Sequence, residues 1–127
     1  VQLLMEDTSI RQCTSLWDQL GNALIGIGRG DTVDTKDPHF LAALDAVGRS
    51  RVAAAVCGWF VDGEGNAIKG RNTTSVNVDQ LKKARNVIAI AGGKSKARAI
   101  LAVLRGKFVT HLVTDEDVAR EILFMQS

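Results

Sequence analysis

The chain is poor in the residues from which most reactive sites are built, with two cysteines, two histidines and one proline among 127 residues. Cys13 lies on a helix face and Cys57 in an apolar run, settings too dissimilar for a disulfide framework or a metal site. Both are expected to be buried, reduced thiols. No cluster has metal-ligand spacing, and no cofactor is expected. His39 and His111 are not near a serine or cysteine in any nucleophile motif. His111 is expected to be half-buried in a strand and His39 to face solvent. No apolar run approaches the roughly 18 residues of a membrane span, and no charged, apolar and small-residue leader opens the sequence, so the expected location is the cytoplasm. A net charge of +2 without a long basic stripe argues against strong direct attraction to nucleic acid. There are no internal repeats, low-complexity tracts or linkers.

What is present is enough apolar material, 46% of the residues, for one domain with a real core and no room for a second. Ile10, Cys13, Trp17 and Leu20 mark the apolar side of a first helix, and "ALIGIG" follows as a strand. After the polar loop "RGDTVDTKDP", Phe40, Leu41, Leu44 and Val47 have the spacing of a second helix. "VAAAVCGWFVD" reads as one strand too apolar to face water. "DGEGN" is a strong turn, and "AIKGRNTTS" a loop or edge strand. A short helix at 78–85 precedes a regular ending: the strand "NVIAIAGG", a helix at 95–105, the strand "KFVTHLVTD" and a helix at 116–125. Such alternation predicts an α/β fold, a parallel sheet layered with helices through right-handed crossovers.

Open parallel sheets bind ligands at the carboxyl ends of their strands. Three loops occupy such ends: Gly28-Arg29-Gly30, Gly92-Gly93-Lys94 and Thr114-Asp115. The second has an unusual charge pattern. Most helix starts here follow the helix dipole, with Thr114 as expected cap before Asp115, Glu116 and Asp117, and Asn77 before Asp79 with Lys82 and Lys83 late. The helix after Gly93 instead opens with Lys94, Lys96 and Arg98. An anion such as a phosphate, held between the glycine turn and the lysines, would relieve the inversion; three cations on a solvated face are the plainer alternative. Asp62 and Glu64 serve turn geometry better than acid-base chemistry, and Trp59 is read as a core residue.

These residues carry a resemblance. The run "NVIAIAGGKSKARAILAVLRGKFVTHLVTDEDVAREIL" resembles the end of the effector-binding domain of SorC/DeoR-type bacterial transcriptional regulators. "LWDQLGNALIGIG" and "AVCGWFVDGEGNAI" are similar to earlier segments of that domain, in the same order. The resemblance implies a sugar-phosphate sensor with a parallel-sheet-based layered sandwich, related to the ribose-5-phosphate and glucosamine-6-phosphate isomerase fold. It implies a phosphorylated sugar as effector, a homo-oligomeric regulator, and DNA contacted only through an N-terminal helix-turn-helix that these residues do not contain. Lys96 matches the family lysine after Gly-Gly and would contact the effector phosphate. Gly92 and Gly93 match the turn that admits the ligand, whereas Lys94 occupies a variable position. Gly28 and Arg29 complete the expected effector site, which has no catalytic residue and no metal. Ala55 stands where the family commonly has a carboxylate reaching sugar hydroxyls, and Trp59 where a basic residue is frequent.

Residues 1–127 are therefore expected to form a single unit, the C-terminal half of a sugar-binding effector domain, with an exposed strand edge that favours pairing with another copy. The competing classes are a sugar-phosphate isomerase of the same fold, for which Asp31, Asp115 and Glu116 are the acidic residues at strand ends, and a self-associating scaffold without effector binding.

Overall fold

The structure is a computed structural model that describes residues 2–32, 38, 44–70 and 74–127. His39, Phe40, Leu41 and residues 33–37 of the loop "RGDTVDTKDP" lie outside them.

Two sheets share one core. Strands β1 (Asn22–Ile25), β6 (Asn86–Ile90) and β7 (His111–Val113) form a parallel sheet in the order β1-β6-β7. Strands β2 (Gly28–Arg29), β3 (Val52–Val56), β4 (Trp59–Asp62) and β5 (Ala67–Gly70) form an antiparallel sheet in sequence order. Among the described residues the helices are α1 (Thr8–Ser15), α2 (Ala46–Arg51), α3 (Val78–Lys83), α4 (Ala97–Arg105) and α5 (Glu116–Gln126). The 3-10 turns Leu16–Gln19 and Lys94–Lys96 continue α1 and lead into α4.

The parallel sheet and its closing strand-helix-strand-helix run are those expected from the sequence. Two strand assignments change. "ALIGIG" does not continue as one strand, because the chain leaves the parallel sheet after Ile25 and joins the antiparallel one at Gly28, with Ile27 buried at the crossing. "VAAAVCGWFVD" is a hairpin: Cys57 and Gly58 both have positive φ, 47° and 78°, the geometry of a two-residue turn whose twist matches paired strands. An even apolar run gives no period from which that fold-back could be read. The turn "DGEGN" then links β4 to the edge strand β5, as expected.

Helix α4 is the centre of the molecule. Ala97, Ala99, Ile100, Leu101, Ala102 and Val103 are all buried, so it is apolar nearly all round and packs on β3, β4 and α5. Its small residues let the antiparallel sheet approach closely. The same cluster holds Ala54, Val56 and Val61 of that sheet, Val87 and Ala89 of the parallel sheet, and Val118 and Ile122 of α5. At the far end of α4, Arg105 donates to the Gly63 carbonyl at 2.9 Å, tying the β4–β5 turn to the helix.

Other expectations change with burial. Cys13 is exposed, since α1 carries no buried residue, whereas Cys57 is half-buried and burial pushes its thiol pKa up. Trp59 is half-buried, its indole N–H donating to the Val76 carbonyl at 3.3 Å, and His111 is exposed beside the Thr110 hydroxyl. Thr114 does not cap α5; Asp115 does, accepting from the Val118 N–H at 2.9 Å. The Asn77 cap is present, as a full capping box with Gln80.

Candidate functional site

The three loops singled out from the sequence converge at the carboxyl ends of β1, β6 and β7. Lys96, half-buried, reaches from the turn before α4 to donate from Nζ to the Ile27 carbonyl at 3.0 Å. One ammonium thereby joins the loop after β1 to the loop after β6. On the other side, the Gly93 N–H donates to Asp115 Oδ2 at 2.6 Å, joining the loop after β6 to the start of α5. Asp115 uses its second oxygen for the Val118 N–H. The Gly93 and Val118 amides hold its carboxyl below the usual carboxylate range.

The two glycines have different reasons to be there. Gly93 has φ 94°, a conformation side-chain-bearing residues rarely adopt. At Gly92 the constraint is space: a Cβ would lie 2.8 Å from Asp115 Oδ2.

The inverted charge pattern is resolved one cation at a time. Lys94 pairs with Glu121 of α5 at 3.5 Å. Lys96 is on the Ile27 carbonyl, and Arg98 lies close enough to Asp31 to help depress its pKa. Because the first turn is 3-10 and α4 proper begins at Ala97, only Arg98 is inside the helix.

Arg29 and Asp31 form a two-point ion pair, with Nε on Oδ1 at 2.8 Å. Hydrogen bonding raises the arginine pKa and lowers that of the aspartate. Together with Val52, Ala53, Ser95, Arg98 and Ala99, they line a cavity of about 110 Å³, of a size for a small polar group. Gly28 is paired in register with Ala55, which places position 55 beside the first loop without a polar atom of its own side chain. Next to Asp115, the Thr114 hydroxyl oxygen is buried without a hydrogen-bond partner among the described residues.

The structure therefore brings together Lys96, Gly92, Gly93 and the loop before Gly28. Lys94 is turned to α5, and Arg29 lies in the adjoining cavity. Trp59, at the β3–β4 turn with its indole on Val76, takes no part in these contacts. Sequence reasoning missed Asp115 as the clasp of the glycine turn, reading it chiefly as a complement to the helix dipole and otherwise as an acidic residue at a strand end. The available signal was the aspartate three residues before buried Val118, a capping spacing shifted by one from the threonine.

A layered α/β unit whose glycine and lysine loops meet at the strand ends defines a small-ligand-binding domain. Residues 1–124 match the family described as "Putative sugar-binding domain", and the chain belongs to that family. It is 30% identical over 126 residues to the sorbitol operon regulator of Klebsiella pneumoniae, covering 94% of this chain and 40% of that protein. It is 29% identical to the central glycolytic genes regulator of Priestia megaterium, covering 94% of this chain and 35% of that one. The full-length sorbitol operon regulator from Klebsiella superposes with a TM-score of 0.76 over 96% of this chain and 42% of its own. A probable sor operon regulator from Shigella flexneri gives 0.78 at 29% identity, over 96% of this chain and 49% of its own. The chain thus spans less than half the length of these relatives, which are named as regulators. No described helix is long and apolar enough to cross a membrane.

Proposed function

We propose that this chain is the effector-sensing part of a regulator of carbohydrate metabolism and that its effector is a phosphorylated sugar. The observation that carries the reading is the Lys96 bridge. An ammonium half-buried at the meeting point of two glycine loops, bound there by one neutral carbonyl, has two further donors to offer an anion. Backbone N–H groups at a glycine turn add to the attraction for an anion. The sugar would lie over Gly28 and Ala55; with alanine at 55, hydroxyl recognition falls to Arg29, Ser95 or the Thr114 hydroxyl.

In the complete regulator the effector acts at a distance. Binding at Lys96 favours one arrangement of a homo-oligomer, and the oligomer sets the spacing of DNA-reading heads carried elsewhere on the polypeptide. This chain contributes no catalytic step and no direct DNA contact.

The test is thermal stability against a panel of phosphosugars and their unphosphorylated counterparts, with the shift following the logarithm of ligand concentration over Kd. A phosphosugar should raise Tm where the parent sugar does not, and Lys96→Ala should abolish the response. An unchanged response in the variant places the anion elsewhere. No response to any phosphosugar returns the chain to the scaffold class.

A further inference from the structure

A second cluster of charge sits where the chain enters the antiparallel sheet. The register sets Gly28 against Ala55 and Arg29 against Ala54, so the chain runs on from Arg29 toward the start of β3 and away from position 55. At Gly30 it lies so close to β3 that a Cβ would collide with the Val52 carbonyl. There Arg29, Asp31, Ser95 and Arg98 surround the cavity of about 110 Å³, which Ala53 and Ala99 also line. Both alanines are buried members of the main core cluster, whereas Ala55 packs with the smaller cluster of Leu44 and Phe60. The cavity therefore opens on the α4 side of β3, apart from the Ala55 surface proposed for the sugar.

What the walls can do follows from which of their groups are already spent. Arg29 is engaged with Asp31 through two nitrogens. No hydrogen bond or ion pair among the described residues occupies the Arg98 guanidinium or the Ser95 hydroxyl, and Arg98 reaches Asp31 only through its charge. Two guanidiniums against one carboxylate leave the cavity positive. A planar guanidinium presents a fork of N–H donors that matches two oxygens of one oxyanion, and a hydroxyl beside it can donate to a third. The small side chains of Ala53 and Ala99 leave the room such a group needs.

We propose that this cavity is a second anion site, which takes one small oxyanion group, a phosphate or a carboxylate, between Arg98, Ser95 and Arg29 and does not use the Lys96 ammonium. Arg98 supplies the fork and Ser95 the third donor. Asp31 holds Arg29 at the rim and, by its own negative charge, limits the affinity. An oxyanion held there would leave sugar hydroxyls to Thr114 in place of Arg29 and Ser95. The inference stands whichever sugar binds at Lys96, or if none does.

The experiment follows the backbone amides of Ser95 and Arg98 and the Arg98 Nε–H by NMR while the 127-residue chain is titrated with inorganic phosphate, with acetate and with chloride at one ionic strength. Phosphate or acetate should give saturable shifts that chloride does not, and the arm that saturates identifies the group. Arg98→Ala should weaken that binding roughly tenfold or more, the loss of charge-assisted hydrogen bonds, and Ser95→Ala should weaken it less. Both side chains are exposed, so neither variant should alter the fold by circular dichroism. Asp31→Asn should tighten binding severalfold, because a competing negative charge is gone, and Lys96→Ala should leave it unchanged. No saturable shift with either anion, shifts that chloride reproduces, an Asp31→Asn variant that binds no tighter, or binding that Lys96→Ala abolishes and Arg98→Ala spares would overturn the proposal. The phosphosugar test is read separately: its failure removes the effector site at Lys96 and leaves this one standing, and the converse holds as well.

Discussion

Asp62 tests whether backbone amides or an ion pair fix the turn of the second hairpin. Its side chain is only 4% exposed and accepts from the Glu64 N–H at 3.0 Å, the Asn66 N–H at 2.9 Å, the Asn66 amide and Arg51 at 3.0 Å. Burial pushes its pKa up, but the hydrogen bonds from Asn66, Glu64 and Arg51 outweigh it, and the net direction is down. Asp62→Ala strands two backbone donors and removes charge-assisted bonds, for an expected loss of about 2–4 kcal/mol, less than the sum of isolated bonds because the turn can rehydrate. At this chain length that is roughly 10 °C in Tm. Arg51 is 59% exposed, so its share of the ion pair is screened and Arg51→Ala should cost under about 0.5 kcal/mol. A folded-state pKa below the ordinary 3.8 makes the contribution present above that pH and progressively lost as pH falls through the lower folded value. Urea unfolding followed by circular dichroism should therefore show wild type and Asp62→Ala far apart at pH 7 and converging below the ordinary carboxylate pKa. A loss under about 0.5 kcal/mol at pH 7, or Arg51→Ala as costly as Asp62→Ala, would refute the reasoning.

The Gly92 contact predicts a reversal of sign. Gly92→Ala should destabilise the wild type, because the new Cβ must push Asp115 off the Gly93 N–H. In an Asp115→Ala background it should be neutral or stabilising, since the obstruction is gone and alanine restricts the unfolded chain; a double-mutant cycle by thermal melts with no coupling would contradict the clasp. Ile100, fully buried in the core on α4, should lose about 2–5 kcal/mol on substitution by alanine in chemical denaturation, the range set by how far the cavity collapses. For the proposed effector site, Lys96→Ala should remove the phosphosugar response while lowering unliganded stability by about 1–2 kcal/mol, the cost of one charge-assisted hydrogen bond to the Ile27 carbonyl.

What the sequence by itself determined is the part governed by local period and local capping. The 3.6-residue spacing of α4, the apolar run of β6, the Asn77 cap and the "DGEGN" turn are all written in neighbouring residues. So was the family, through the likeness of the run around Gly-Gly-x-x-Lys to its members. Tertiary structure decided what depends on partners far along the chain. The fold-back at Cys57 and Gly58 has no signal in an unbroken apolar run, because a hairpin and a long buried strand have the same composition. Ile25 and Gly28 are three residues apart yet belong to different sheets, a separation imposed by where β6 and β3 happen to lie. The resemblance set Lys96 apart from the other two cations at the helix start, but the carbonyl its ammonium rests on belongs to Ile27, 69 residues earlier, and only the tertiary structure brings the two together. Asp115 was legible as an acid near a dipole but not as the clasp on Gly93, 22 residues away, since a hydrogen bond between loops is fixed by how two strand ends are brought level across the sheet, and no spacing within either loop encodes that.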